Sequence, residues 1–316
     1  MLSERDQRRK LKYFDILKAK EAYENGENVS AFLRAQNDAP ISISAIIEIV
    51  YDLQAGTYIE VVEEHIDFEL RVAEEFARII ETYVGEKDVL LDVGTGEITM
   101  LSLVARALKL KPFHIYAFDI SWSRIFKGID FAKNHMGDSI DNFTPFVADI
   151  NEIPFLDKSI DVTISNHALE PNGGRLLELL AELFRITRDT LLLFEPCYEI
   201  NSREGKERMD SLGYIKGMDE AVNKLGGKLI KKINIAHVRN TLNPTACFII
   251  KPPTSSLHSL TTNKAAIMSV PGSNHILEKI DNFYFSNTTG LCFPIIKNIP
   301  ILKSGAAILA TSLIRS

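Results

Sequence analysis

The chain offers little sulfur chemistry. Only three of its 316 residues are cysteines, Cys197, Cys247 and Cys292, odd in number and widely spaced. They give no disulfide framework and no paired zinc-ligand spacing, so a reducing compartment is expected. No unbroken apolar run reaches the length needed to cross a bilayer. The first twenty residues hold no apolar core segment of the secretory kind, and a cytoplasmic location is the expectation. A strong excess of one charge is also missing. A net charge of −6 and a pI near 5.7 argue against a nucleic-acid-binding surface over the whole molecule. One basic run (Arg8, Arg9, Lys10, Lys12, Lys18 and Lys20) is diluted by Asp6 and Asp15 and reads as a solvated helix face.

What is present is an ordinary globular composition, 46% hydrophobic and 25% charged, at a length suited to one large domain with an appendage. The most telling stretch is Val89 to Glu97, an apolar run ending in Asp92 and followed by Gly94-Thr95-Gly96. Helical apolar spacing continues from Ile98 to Leu110 at Ile98, Leu101, Ala105 and Leu108. A strand feeding a glycine turn that opens a helix presents backbone N–H groups to a ligand beyond the strand's carboxyl end. Two more strands also end in aspartate: His114 to Asp119, and Phe146 to Ile150 with Asp149. Asp119 follows the turn at the roughly twenty-residue interval of a carboxylate that accepts from ribose hydroxyls. A rim carrying Asp92, Asp119 and Asp149 suits an adenosine with cationic groups better than a pyrophosphate. Ile98, and the lack of a further glycine, spoil the dinucleotide fingerprint. Asp119 has a second reading as a helix cap, because Ser121 and Ser123 follow it.

This ordered series resembles the class I methyltransferases that use S-adenosylmethionine, of the type 11-like kind, over roughly residues 60 to 252. The acidic-x-Gly-x-Gly-x-Gly motif of that family stands here as Asp92 to Ile98, with Ile98 in place of the last glycine. The resemblance implies a cofactor site built from Asp92, Gly94, Thr95, Gly96, Asp119, Ile120, Asp149, Ile150 and Asn166. It also implies that Tyr58 closes over the cofactor, with plain packing as its other reading. Ile160 to Glu170 is similar to the family's fourth strand and the Ser-Asn-His turn after it. Lys228–Ile235 and Ala246–Ile250 then form, by resemblance, the reversed hairpin of a seven-stranded sheet. The implied fold is α/β, a Rossmann-like methyltransferase sheet with a helical N-terminal extension and a small β-rich tail.

Along the chain, residues 1–60 read as helical with breakers at Gly26 and Pro40, and as a cap on the main domain of residues 61–252. Ile41 to Leu53 carries a stripe of Ile43, Ile46, Ile47 and Val50, and Ile66, Leu70, Ala73, Ala77 and Ile80 form a second. Leu176 to Ile186 reads as a helix and Leu191 to Phe194 as a strand buried on both faces. Arg203 to Leu225 is expected to lie over the sheet as part of a substrate lid. After Pro253 the composition turns to Ser, Thr and Asn. The segment Phe293 to Leu302 resembles the closing stretch of small zinc-ribbon domains, some of which accompany methyltransferases. Without their cysteine knuckles, residues 253–316 are expected to hold no zinc, and to pack on the catalytic domain or make a homodimer contact.

Methyl transfer from a sulfonium is an in-line displacement, in which holding the nucleophile near the methyl carbon supplies much of the rate. A hydroxyl acceptor often also requires a base. His167 is placed for that role, with an ordinary pKa near 6.5, or serves as a packing residue. Glu170 orients it or begins the next helix; Glu195 faces the substrate pocket or has a structural role, and His237 is a further pocket candidate. The expected partner is a small-molecule acceptor, methylated on a hydroxyl, with no nucleic acid and no membrane span. An RNA or protein methyltransferase and a binding subunit that has lost turnover remain as alternatives.

Overall fold

The computed structural model describes residues 15–35, 42–172, 174–254 and 266–314. Arg8, Arg9, Lys10, Lys12, Asp6, Pro40, Ile41 and most of the polar run after Pro253 lie outside the described residues. The apolar runs become strands buried on both faces. In β1 (Val89–Val93), Val89, Leu91 and Val93 enter one core layer and Leu90 the other, the period of two that a strand imposes. β2 (His114–Asp119), β3 (Phe143–Val147), β4 (Ile160–Asn166), β5 (Thr187–Pro196), β6 (Lys228–Asn234) and β7 (Thr245–Lys251) complete a seven-stranded sheet. Its order is β3-β2-β1-β4-β5-β7-β6. The first five strands pair in parallel, and β7 runs antiparallel between β5 and β6. The chain order turns back between β1 and β4, so the carboxyl ends of these strands border a ligand crevice.

The helices follow from amphipathic spacing. α1 (Ile16–Glu24), α2 (Val29–Ala35) and α3 (Ile43–Leu53) gather Ala19, Val29, Leu33 and Ile46 into a small cluster of their own. α4 (Thr57–Glu64) and α5 (Ile66–Ile80) lead to the sheet. α5, α6 (Thr99–Ala107) and α7 (Trp122–His135) cover one face. Phe76 of α5 stacks on Phe194 of β5 at 3.9 Å, and burying such a ring contributes about 2–3 kcal/mol. α8 (Leu176–Ile186) and α10 (Met218–Lys224) cover the other face, with α9 (Arg203–Leu212) between them in sequence.

α6 begins at Thr99, one residue later than its apolar spacing indicates. Ile98 caps it in the left-handed region at φ 58, fully buried. The backbone keeps the conformation glycine favours although isoleucine stands there. That costs on the order of 1–2 kcal/mol, offset by burial against the helix layer.

The tail folds as an antiparallel sheet of β8 (Glu278–Ile280), β9 (Phe283–Phe285), β10 (Leu291–Ile296), β11 (Ile299–Pro300) and β12 (Ile308–Leu309). It docks on the β3 edge of the main sheet, where Leu302 donates its N–H to the Val147 carbonyl at 2.8 Å. Phe155 bridges Met268, and Met268, Tyr284, Phe293 and Leu302 enter the same core layer as Phe146 and Phe155. Among the described residues no helix is long and apolar enough to cross a membrane. No group of three or more His, Cys, Asp or Glu among them is placed to hold a metal ion.

Candidate active site

A cavity of about 480 Å³ opens at the carboxyl ends of β1, β2 and β4. Its floor is the glycine turn. Gly94, at φ 68, has no room for a side chain, because a Cβ would sit 2.5 Å from the Ala168 Cβ. Gly96, at φ 59, leaves open the space that the Arg124 guanidinium takes. Thr95 donates its N–H to the Phe118 carbonyl at 2.9 Å, tying the turn to β2. Asp119 accepts from the Gly96 N–H at 3.0 Å through one oxygen and from the Ser121 N–H at 2.9 Å through the other. Asp119 borders the cavity, whereas the N-cap of α7 is Ser121, whose hydroxyl accepts from the Arg124 N–H at 3.2 Å.

The helical hairpin α3–α4 is latched over this floor by two carboxylates. Asp52 accepts from the Ser121 hydroxyl at 2.7 Å and from the Ser123 N–H and hydroxyl at 3.1 and 2.8 Å, which joins α3 to the first turn of α7. Glu97, next to the second turn glycine, accepts from the Gly56 and Ile59 N–H groups at 3.0 and 2.8 Å. These amides belong to the first turn of α4, where a carboxylate is favoured. Tyr51 and Tyr58 from this hairpin both face Arg124, whose guanidinium carbon lies 5.0 and 4.7 Å from their ring centres. The same guanidinium stands 3.8 Å from Asp119 and 3.8 Å from Glu97.

The wall beyond β4 carries the imidazole. His167 sits in the left-handed region at φ 54, and its N–H donates to the Phe194 carbonyl at 2.9 Å. Its Nδ1 lies 3.1 Å from Glu170 and its Nε2 lies 2.7 Å from the Thr245 hydroxyl. Burial pulls the imidazole down, but the Glu170 carboxylate bonded to it outweighs burial and, with Glu195 behind, holds it above its ordinary value. Asn243 donates to Glu170 at 3.3 Å. Farther along, His237 bonds Glu75 through Nδ1 at 2.8 Å, and Arg239 pairs with the buried Glu69. Through these two contacts α5 holds the loop between β6 and β7 as an outer wall.

The turn residues Gly94, Thr95 and Gly96 line the cavity. So do Asp119 with Ile120, Asp149 with Ile150, Asn166 with His167, Glu170 and His237, and Tyr58 from the hairpin. Asp149 and Ile150 lie just past β3, which ends at Val147, and Asp149 accepts from the Asn151 N–H at 2.9 Å. Asp92 does not reach the cavity surface. It lies buried beneath the turn, and burial pushes it up to about 7, opposed by the Thr95 side chain and aided by the Asp119 charge.

Two expectations are corrected. Glu195 does not face a substrate: it is fully buried and accepts from the Ser165 hydroxyl at 2.9 Å and the Ala168 and Leu169 N–H groups at 3.1 Å. It braces the turn that carries His167, and burial pushes it up to about 7. The segment 203–225 forms no part of the cavity wall. Met218, Ala221 and Val222 of α10 pack instead into the core layer under α8. That wall comes from α5 and the 235–245 loop.

Asp52, Glu97, Arg124 and Thr245 were not read as site residues. Glu97 had a signal, since it extends the glycine motif, and Asp52 had none because its partners lie some seventy residues away.

The acidic rim and the close-approach glycines fit a ligand that brings hydroxyl groups and a cationic centre to the turn. Residues 91–193 match the family model of the methyltransferase domain. No curated protein matches the sequence. Among solved structures, a geranyl diphosphate C-methyltransferase from Streptomyces coelicolor A3(2) is similar at 12% identity, over 57% of this chain and 74% of that one, with a TM-score of 0.45. A chain of the complex between the Haloferax volcanii Trm112 methyltransferase activator and a putative methyltransferase gives 18% identity, 55% and 86% coverage and a TM-score of 0.45. A SAM-dependent methyltransferase from Aquifex aeolicus gives 14%, 55%, 88% and 0.44. Residues 91–193 are a methyltransferase domain, and S-adenosylmethionine is its cofactor.

Proposed function

We propose that this enzyme methylates a hydroxyl of a small-molecule acceptor, with His167 as the base. One observation carries the reading: an imidazole hydrogen-bonded to a carboxylate, Glu170, stands on the cavity wall beside Asn166 at the tip of β4. An amine acceptor needs only to arrive unprotonated, whereas a hydroxyl benefits from a base of this kind. In this reading Gly94, Thr95 and Gly96 hold the cofactor's amino-acid end together with Asn166. Asp119 accepts from the ribose, and Ile120 and Ile150 flank the adenine beside Asp149. Tyr58 closes over it, and Asp92 stiffens the turn from below. S-adenosylmethionine, when bound, supplies an electrophilic methyl group on a sulfonium. The α5 face and the 235–245 loop then form the acceptor side, lined by Phe68, Val72, Phe76 and Val238. Such a wall favours an acceptor with an apolar body. Residues 1–60 act as the cap, 61–252 as the catalytic domain and 253–316 as a metal-free module.

Calorimetric titration with S-adenosylmethionine and S-adenosylhomocysteine tests the cofactor part. Heat for both ligands, lost in Asp119→Ala, is the expected result, and no heat for either overturns it. Paired panels of alcohols and amines, scored by release of S-adenosylhomocysteine, test the acceptor part. Turnover of amines alone removes the hydroxyl reading.

A further inference from the structure

We propose that Thr245 is a catalytic residue of the transfer, relaying the acceptor's hydroxyl proton to His167 Nε2. This rests on the hydroxyl-acceptor reading given above. The argument begins with what each partner of the imidazole can do. An ionised Glu170 only accepts hydrogen bonds, so the Nδ1 facing it at 3.1 Å must carry a proton. In the neutral, base-competent imidazole the Nε2 is then the bare nitrogen. The Thr245 hydroxyl, 2.7 Å away, donates to it. Carboxylate, imidazole and hydroxyl therefore stand in series, Glu170–His167–Thr245, the order in which a positioned base activates a hydroxyl.

The ring has little freedom to leave that series. His167 is held at φ 54, outside the conformations a side chain prefers, by its N–H bond to Phe194 and by the Glu195-braced turn that follows. Strain of this kind persists where surrounding structure over-determines it. Thr245 is equally fixed: it opens β7 opposite Pro196, and its carbonyl accepts from the Ile235 N–H at 3.0 Å. It is buried yet borders the cavity, and its hydroxyl already occupies the Nε2 lone pair. An acceptor entering the cavity reaches that lone pair through the Thr245 oxygen.

The step balances. The acceptor oxygen gains the methyl carbon as its O–H bond breaks. That proton goes to Thr245 Oγ1, whose own proton goes to His167 Nε2. The electron pair of the broken carbon–sulfur bond stays on sulfur. The positive charge lost from the sulfonium reappears on the imidazolium beside Glu170.

Nitrogen NMR on the full chain with labelled histidine reads the tautomer without any acceptor. Above the His167 titration we expect a protonated, pyrrole-type Nδ1 and a bare, pyridine-type Nε2; the reverse tautomer overturns the relay. Kinetics on the panel of neutral alcohols and phenols provide the second arm. There Thr245→Val should lower kcat about 100-fold with the KM for S-adenosylmethionine unchanged, and Thr245→Ser should restore it. Unchanged kcat in Thr245→Val with an alcohol or phenol removes the relay alone. Turnover confined to amines, or absence of cofactor binding heat, removes the hydroxyl reading beneath it. The tautomer decides the matter even for a panel in which nothing turns over.

Discussion

The carboxylate of Glu97 accepts the backbone N–H of Ile59 at 2.8 Å, across 38 residues of chain. Because Glu97 adjoins Gly96 and Ile59 adjoins Tyr58, one side chain joins the glycine turn to the hairpin that covers it. Its second oxygen takes the Gly56 N–H, so removing the carboxylate leaves two helix-start amides without an acceptor. Glu97→Ala is expected to weaken S-adenosylmethionine binding at least tenfold, about 1.4 kcal/mol, as measured by calorimetry. Glu60→Ala, on the exposed face of the same helix, should leave affinity unchanged. Equal affinities for the two variants would sever the link between turn and hairpin.

Gly94 and Gly26 both adopt positive φ, 68 and 75, but only Gly94 is crowded. Gly26→Ala meets open space and should cost about 1 kcal/mol from backbone strain alone. Gly94→Ala adds a collision with Ala168 on the turn that follows β4. Thermal denaturation should show a clearly larger loss for Gly94→Ala, with cofactor binding abolished. A Gly94→Ala protein that binds S-adenosylmethionine normally would mean that the turn does not need close approach.

The buried ionisable groups fix the sign of the pH dependence. Asp92 and Glu195 rise from ordinary values of 3.8 and 4.5 to about 7, and His167 is also raised. Each is a group whose proton the folded state holds more tightly than the unfolded state does. The stability these groups contribute is therefore fully present at low pH and is lost as pH climbs through the window from about 4 to 7. Glu75 contributes with the opposite sign: burial raises it, but its bonds to Ala236 and His237 outweigh burial and hold it below its ordinary value. For Glu195 the full span is on the order of 3 kcal/mol, taking about 1.4 kcal/mol per unit. Glu195→Gln keeps an acceptor for the Ser165, Ala168 and Leu169 donors and removes the titration. Urea midpoints for this variant should decline less between pH 5 and pH 8 than those of the parent. A Glu195→Gln variant that declines as steeply as the parent across that window would contradict the burial argument.

Much of the sheet was legible because its signals are local. Val89 to Val93, His114 to Asp119 and Leu191 to Phe194 are apolar runs closed by turn or acidic residues, and each became a buried strand. Turn chemistry at Gly94 and Gly96 was legible for the same reason. What escaped depends on contacts between distant segments. Glu195 reads locally as an acidic strand end, the same signal as Asp119. Its orientation is set by the β4 turn folding over it, which no spacing encodes. The polar helix Arg203–Leu212 reads as a surface lid, whereas the position of α9 and α10 is decided by Met218 and Val222 entering the core. Thr245 is one threonine at a strand start, and only the meeting of β7 with the β4 turn places it against His167.

The tail supplies the remaining prediction. β3 is the last strand of the main sheet, and its outer edge is covered by the segment 299–302 through the Leu302 bond to Val147. An uncovered edge is a template for pairing with another chain. Removing residues 254–316 would also strip Phe293 and Leu302, both fully buried, and Met268 from the layer holding Phe146 and Phe155. Phe155 belongs to the loop that follows Asp149 and Ile150, so the loss reaches the rim of the cavity. The Lys303–Glu48 ion pair at 2.5 Å, from tail to α3, would go as well. A chain ending at Pro253 should therefore aggregate in light scattering and melt well below the parent. In contrast, Lys303→Ala, which breaks only a half-exposed pair, should shift stability by less than about 1 kcal/mol. Phe293→Ala lies between these, with an expected loss of about 3–5 kcal/mol in denaturant unfolding. A truncated chain that stays monomeric, melts like the parent and binds S-adenosylmethionine with unchanged affinity would mean that the tail rests on the sheet without supporting it.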